Sequence, residues 1–289
     1  MSVKPIVAAT DGSEESLRAV SWAAREAVLH DAPLRIVSAA ALLPRMSPSR
    51  GSSSYETVTD TIEENRDKAL AKAAEHAAAT VPGLLIDTDR LEGQPAEAVA
   101  DSGAGALMLV VGSRGGGAFG ALLLGSVSRY VATHAPCPVA VIRDESESTQ
   151  RQVAVGIGDL DGCGATLDFA FEEAALRHAS LIALHAWHME SDISRAGISF
   201  STPAARTLAD EASEALRGAL EDCRSKYPQV HVIQDVVRGH PGRALAGLSA
   251  RADVTVIGRH PHHGPTGPGA VTHALLNHAH GPVVTVPSA

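Results

Sequence analysis

Two stretches of the chain carry residues suited to holding a phosphorylated ligand. The first is Gly112-Ser-Arg-Gly115-Gly-Gly-Ala-Phe-Gly-Ala-Leu-Leu-Leu-Gly125-Ser126-Val127-Ser128, which follows a short apolar run. Glycines remove Cβ atoms, so backbone N–H groups can turn inward and approach phosphate oxygens closely. Gly125-Ser126 then opens a helix, whose first N–H groups and positive dipole end attract an anion. The hydroxyls of Ser126 and Ser128 are further donors, and Arg114 supplies a cation unless it is merely solvated. The second stretch is Ala9-Thr10-Asp11-Gly12-Ser13, at the end of the first apolar run. A carboxylate there can accept hydrogen bonds from ribose hydroxyls. The plainer role for Asp11 is to end the strand and help cap the next helix.

Both stretches must sit on a scaffold that brings them together. Ile6–Thr10, Leu34–Ala39, Leu84–Leu91, Leu107–Val111 and Val139–Ile142 read as buried strands. Between the first two, Leu17, Val20, Ala24, Ala27 and Val28 fall on one helical face, with Ser13 as N-cap and Glu14 and Glu15 at the positive end. A second helix is expected from about Glu56 to about Ala79, and shorter ones from Pro95 and Ser126. Strands alternating with helices imply a parallel sheet covered on both faces, with ligands at the carboxyl ends of the strands.

The chain also repeats itself at an offset of about 145 residues. Arg90-Leu-Glu-Gly93-Gln-Pro95-Ala returns as Val236-Val-Arg-Gly239-His-Pro241-Gly. His134-Ala-Pro-Cys-Pro-Val-Ala-Val-Ile142 answers to His278-Ala-His-Gly-Pro-Val-Val-Thr-Val286. So long a period indicates duplicated domains, residues 1–144 and 151–289, rather than a solenoid. The charged segment Arg143–Arg151 reads as the linker. At 289 residues, each copy has an ordinary domain size.

On these residues the first copy resembles a universal stress protein domain of the ATP-binding subgroup. The family's G-x2-G-x9-G-[ST] signature is met by Gly112, Gly115, Gly125 and Ser126. Thr10-Asp-Gly-Ser13, the Glu-Gly-x-Pro-Ala-Glu segment from Glu92 and the His-Ala-Pro-Cys-Pro-Val ending from His134 match as well. The likeness covers residues 3–143 closely and 152–287 more loosely. It implies an α/β fold of two tandem Rossmann-like domains, of the adenine nucleotide alpha hydrolase-like type, each with five parallel strands and helices on both faces. It implies ATP, with or without Mg2+, bound without strong turnover: Ala9, Asp11 and Ala39 frame the adenosine, while Gly112, Arg114, Gly115, Gly125, Ser126, Val127 and Ser128 hold the phosphates. It further implies homodimers, with Pro138–Ile142 and Pro282–Val286 as a dimer edge unless that edge is buried within the tandem chain.

The second copy departs from the signature. Gly258-Arg-His-Pro261 puts proline, which has no N–H, at the second glycine. The interval to Gly269 is two residues short, and Ala270 replaces the hydroxyl residue. After its first strand, Gly158 stands where an aspartate is expected, with Asp159 displaced by one. This copy is expected to bind ATP weakly or not at all. Its loop histidines, His260, His262, His263 and His273, have no cysteine or carboxylate at a supporting spacing, which argues against a metal site.

Other functions fit less well. Gly115-x-Gly117-x-x-Gly120 matches a dinucleotide fingerprint by letter, but it does not follow a first strand or lead directly into a helix. There is no G-x4-G-K-[ST] and no G-x-S-x-G. Nothing supplies an obvious base for attack on a γ-phosphate, so turnover in the usual sense is not expected. A slow ATPase or phosphotransferase of the same fold, and a structural protein with an empty cleft, remain alternatives to an ATP-binding regulator that acts on an unknown protein partner. Net charge is −9, with no basic run for a nucleic acid, and no apolar stretch approaches the ~20 residues of a membrane span. Three widely spaced cysteines suggest a reducing cytoplasm, and Cys137 between two prolines reads as a buried small residue. The Ser/Gly/Pro-rich loop Leu42–Tyr55 is either a lid over adenine or a plain connection.

Overall fold

The computed structural model of the protein describes residues 3–40, 53–115, 124–143, 150–187, 203–259 and 269–288. The chain divides into two compact units, residues 1–145 and 146–289. The first unit contains β1 (Ile6–Ala9), α1 (Glu14–Leu29), β2 (Leu34–Ala39), α2 (Ser53–Thr80), β3 (Ile86–Leu91), α3 (Pro95–Asp101), β4 (Met108–Gly112), α4 (Ser126–His134) and β5 (Val139–Ile142). The second contains β6 (Gln152–Ile157), α5 (Gly164–Leu176), β7 (Ser180–Trp187), α6 (Pro203–Lys226), β8 (Val232–Arg238), α7 (Pro241–Ser249), β9 (Val254–Arg259), α8 (Ala270–His278) and β10 (Val283–Pro287).

In the first unit the strand order is β3-β2-β1-β4-β5, and the pairings are parallel. The second unit repeats it as β8-β7-β6-β9-β10. Parallel strands need helical crossovers, and these cover both faces, so the inner strands lose their polar alternation. Every residue of β4 and of β5 is buried, in runs of Met, Leu, Val, Ala and Ile closed by Gly112. On one face α1 lies beside α2; on the other, α3 lies beside α4. Ser21 of α1 locks the first pair, 2.8 Å from His76 Nε2 and 3.2 Å from Thr80 Oγ1 of α2.

Two local expectations need correction. The third strand is not a buried one. It is the terminal strand of its sheet, pairs only with β2, and alternates Ile86 and Leu91 with exposed Asp87, Thr88 and Arg90. With Leu85 72% exposed, the apolar run that suggested burial lies mostly outside the core. Charged residues on such an edge discourage pairing with another chain. In α1, Leu17, Val20, Ala24 and Ala27 do face the core, but Val28 is 57% exposed. It stands on the same face, about 40° around the helix from Ala24, but lies in the last turn, where α1 ends at Leu29.

Candidate functional site

The direction of connection changes at β1. The chain leaves it for β2 and β3 on one side, then returns to place β4 and β5 on the other. The carboxyl ends of β1 and β4 therefore diverge into separate loops, which is where an open α/β sheet holds its ligand.

The loop after β1 is built by short polar contacts. Thr10 N–H still donates to Val37 O at 2.9 Å, extending the ladder by one residue. The Thr10 hydroxyl turns inward to lie 3.0 Å from Ser16 Oγ, and it accepts from Gly12 N–H at 3.1 Å. Asp11 Oδ1 accepts from Ser13 N–H at 3.0 Å and from Ser13 Oγ at 2.5 Å. Ser13 Oγ in turn accepts from Ser16 N–H at 3.2 Å, capping α1. The plain structural role of Asp11 is thus real and engages Oδ1. Gly12 has φ +81°, which favours glycine, and a Cβ there would stand a tight 3.1 Å from Ala69 Cβ of α2.

The loop after β4 is clamped at both ends. Ser113 N–H donates to Ile142 O at 2.7 Å, and Gly125 N–H returns to Ser113 O at 2.8 Å. The buried Ser128 hydroxyl donates to Gly112 O at 2.6 Å. A Cβ on Gly112 would press on Glu15 O at 3.0 Å and Glu15 C at 3.1 Å, so the start of α1 lies directly against the end of β4. A Cβ on Gly115 would collide with Asp11 Oδ2. The carboxylate after β1 and the glycine loop after β4 therefore meet at one point.

Gly125 is the N-cap of α4 and has no side chain to cap with. The first intrahelical bond, Arg129 N–H to Gly125 O at 3.0 Å, leaves the N–H groups of Ser126, Val127 and Ser128 without a protein acceptor among the described residues. Those orphan donors and the helix dipole make an anion-binding end. Arg114 is half-buried beside it, with its Cα 3.5 Å from where a Gly125 Cβ would lie. Ala9 and Ala39, half-buried at the ends of β1 and β2, offer small surfaces on the other side of Asp11. The structure thus gathers all ten expected residues at the carboxyl edge. The hydroxyl of Ser128 is a difference: it secures the loop rather than facing a ligand. Residues 116–123 of the loop, and 41–52 of the Ser-rich segment, lie outside the described residues; Ser53, Ser54 and Tyr55 begin α2.

Two cations at this edge had no sequence signal. Lys72 Nζ reaches Gly12 O at 3.3 Å. Arg66, only 5% exposed, donates to Leu91 O at 3.2 Å and lies 3.6 Å from Glu92, while its Nε has no partner. Both belong to α2, where Arg66, Ala69 and Ala73 share the inward face. A lysine or arginine in a polar helix reads as solvated until its neighbour is known.

In the second unit the corresponding elements are present but differently furnished. A Cβ on Gly258 would strike Thr166 Oγ1 at 2.6 Å, repeating the close approach at Gly112. Asp159 accepts from Asp161 N–H at 3.1 Å, one residue later than Asp11 would stand. Residues 260–268, with Pro261 and three of the loop histidines, lie outside the described residues. The cysteines are buried and form no disulfide. Burial pushes the Cys223 thiol up to about 11, with Asp168 adding to the shift, and burial also raises Cys163. Neither is poised as a thiolate.

The model of the universal stress protein family matches this chain twice, over residues 2–143 and 150–287. The chain belongs to that family. A universal stress protein of Mycolicibacterium smegmatis is 32% identical over 97% of this chain and 96% of its own length. One from Mycobacterium tuberculosis is 31% identical over 96% and 93%. Among solved structures, a universal stress protein from Archaeoglobus fulgidus superposes with a TM-score of 0.70 over 98% of both chains at 17% identity, a likeness of fold. The tandem arrangement is thus shared at full length with other universal stress proteins.

Asp11 gives a first test of the site. If this edge holds ATP, Asp11→Ala, which removes a carboxylate suited to accept from a ribose, should weaken binding by ~1–3 kcal/mol. Calorimetric titration with ATP checks this; an unchanged affinity would mean that Asp11 serves only the turn into α1.

Proposed function

We propose that the first domain binds ATP and that the protein is a nucleotide-dependent regulator of a stress or dormancy response. The observation that carries this reading is the meeting of Asp11 with Gly115 beside the uncapped start of α4. An acceptor suited to ribose and a cluster of backbone donors suited to phosphates stand at one sheet edge, at a separation set by adjacent strands. Bound ATP would bring the polyanion that such donors lack, and Arg114 would add charge to the same cradle. Ala9 and Ala39 would flank the nucleoside.

A binding role is favoured over turnover because the carboxylate that meets the glycine loop, Asp11, already accepts from Ser13 N–H and Ser13 Oγ. In-line attack on a γ-phosphate needs a positioned base or water and a well-held metal ion. A protein acting through occupancy needs a partner that reads it, either a second copy of this chain in a homodimer or another protein. Buried cysteines without disulfides fit a cytoplasmic setting. No helix among the described residues is long and apolar enough to cross a membrane.

The test is to purify the protein without added nucleotide, denature it, and quantify released ATP and ADP by chromatography. One ATP per chain is expected. Two would mean that the second domain also binds. None, with no uptake of added ATP, would leave a structural role alone. Multiple-turnover phosphate release above background would turn the regulator into a slow ATPase.

A further inference from the structure

The second domain carries a cavity of about 680 Å³ between the end of β8, the start of α7 and the outer face of α8. Four of its lining residues are cationic or imidazole-bearing: Arg238, His240, Arg243 and His278. Val237 and Ala274 give it an apolar floor. The chain enters through Gly239 at φ +134° and starts α7 at Pro241 with no side-chain cap.

The equivalent place in the first domain is chemically opposite. Aligning Gly93 with Gly239, Pro95 with Pro241 and His134 with His278 sets Glu92 against Arg238, Gln94 against His240 and Glu97 against Arg243. Two carboxylates become two guanidiniums, a change from −2 to +2. The same alignment sets Tyr130 against Ala274. In the first domain the Tyr130 ring stacks on His134, with centroids 4.0 Å apart and planes within 6°. Ala274 leaves that volume open. At Gly242 α7 comes close to α8, because a Cβ there would stand 2.8 Å from Ala274 Cβ.

We propose that this cavity is a binding site for a small organic phosphate ester with an apolar body. Its volume lies within the ~300–1,000 Å³ of small-molecule sites, and it combines an apolar floor with a few convergent polar groups. Arginine forks match phosphate oxygens, and the start of α7 turns its positive dipole end toward the same mouth, with Pro241 lacking an N–H and Arg243 N–H donating to His240 O at 3.1 Å. A larger partner would be read by a flat surface rather than by this recess. None of the described lining residues belongs to β9, so a domain that has lost its ATP signature would still sense a metabolite.

The test uses the full chain and 1-naphthyl phosphate, followed by fluorescence and calorimetry. Saturable binding is expected, surviving in Gly125→Arg, where the first domain's cradle is filled. The double variant Arg238→Glu/Arg243→Glu, which installs the first domain's residues at exposed positions, should weaken binding about tenfold or more. Ala274→Tyr should do the same by occupying the floor, and a melting curve shows whether it folds. If it does not, the charge reversal decides alone. Absence of saturable binding, binding lost only in Gly125→Arg, or binding indifferent to the charge reversal would overturn the proposal.

Discussion

Gly125→Arg should abolish ATP binding while both domains stay folded. The backbone at Gly125, φ −61° and ψ 149°, is one that any residue adopts. The nearest atoms to an added Cβ are Arg114 Cα and Ser113 O at 3.5 Å and Ser128 Oγ at 3.6 Å, which is ordinary contact. The fold therefore accepts a side chain there, but a long one must run across the N–H groups of Ser126, Val127 and Ser128. Hydrogen bonds to a charged group contribute ~1.5–3 kcal/mol each. Losing even two would lower affinity by ~3 kcal/mol or more, at least about a hundredfold. Gly125→Ala, one carbon larger, should bind nearly as the parent does, which separates bulk from the mere loss of glycine. Calorimetry reads the affinity and a thermal melt reads the fold. Undiminished affinity in Gly125→Arg would falsify the site assignment.

The largest stability effect is expected from Phe171→Ala. Aromatics make up 3% of the chain, so its cores rest on aliphatic side chains. Phe171 is fully buried in α5 and heads the largest buried side chains, with the Tyr227 ring 5.9 Å away. Removing an aromatic ring from a core costs about 3–5 kcal/mol through lost transfer energy and the cavity left behind. Urea unfolding of the full chain in a Trp22→Phe background leaves Trp187 as the single tryptophan, within the second domain's β7. The midpoint of its transition should fall steeply. A small shift would mean that the surrounding core closes over the space.

Much of this architecture was legible from the order of residues. Buried parallel strands announce themselves as unbroken apolar runs, and Ser13 before two glutamates marks the start of α1. The meeting of Asp11 with the glycine loop followed from one rule, that ligands gather at the carboxyl ends of strands. What could not be read depended on neighbours far away in the chain. The polarity of β3 reflects its place at the rim, which an apolar Leu84-Leu85 pair disguised. Arg66 is buried because Leu91 and Glu92 come to meet it from another element. The hydroxyl of Ser128 looked available because Gly112 O, its acceptor, lies sixteen residues back. The cavity of the second domain is lined by Ala274 where the first domain has Tyr130, a difference that no motif registers.

The glycine that begins α4 has one more consequence. Serine or asparagine at such a position satisfies its own helix, a contribution of about 1 kcal/mol. Glycine leaves that first turn incomplete, so a phosphate bound there as proposed would finish a piece of secondary structure as well as fill a pocket. Occupancy and local order in α4 are then linked quantities, and the amide protons of Ser126, Val127 and Ser128 become their common reporter. A self-capped helix would be firmer when empty and would respond less when loaded, so part of what the proposed ligand would contribute is rigidity the chain does not give itself.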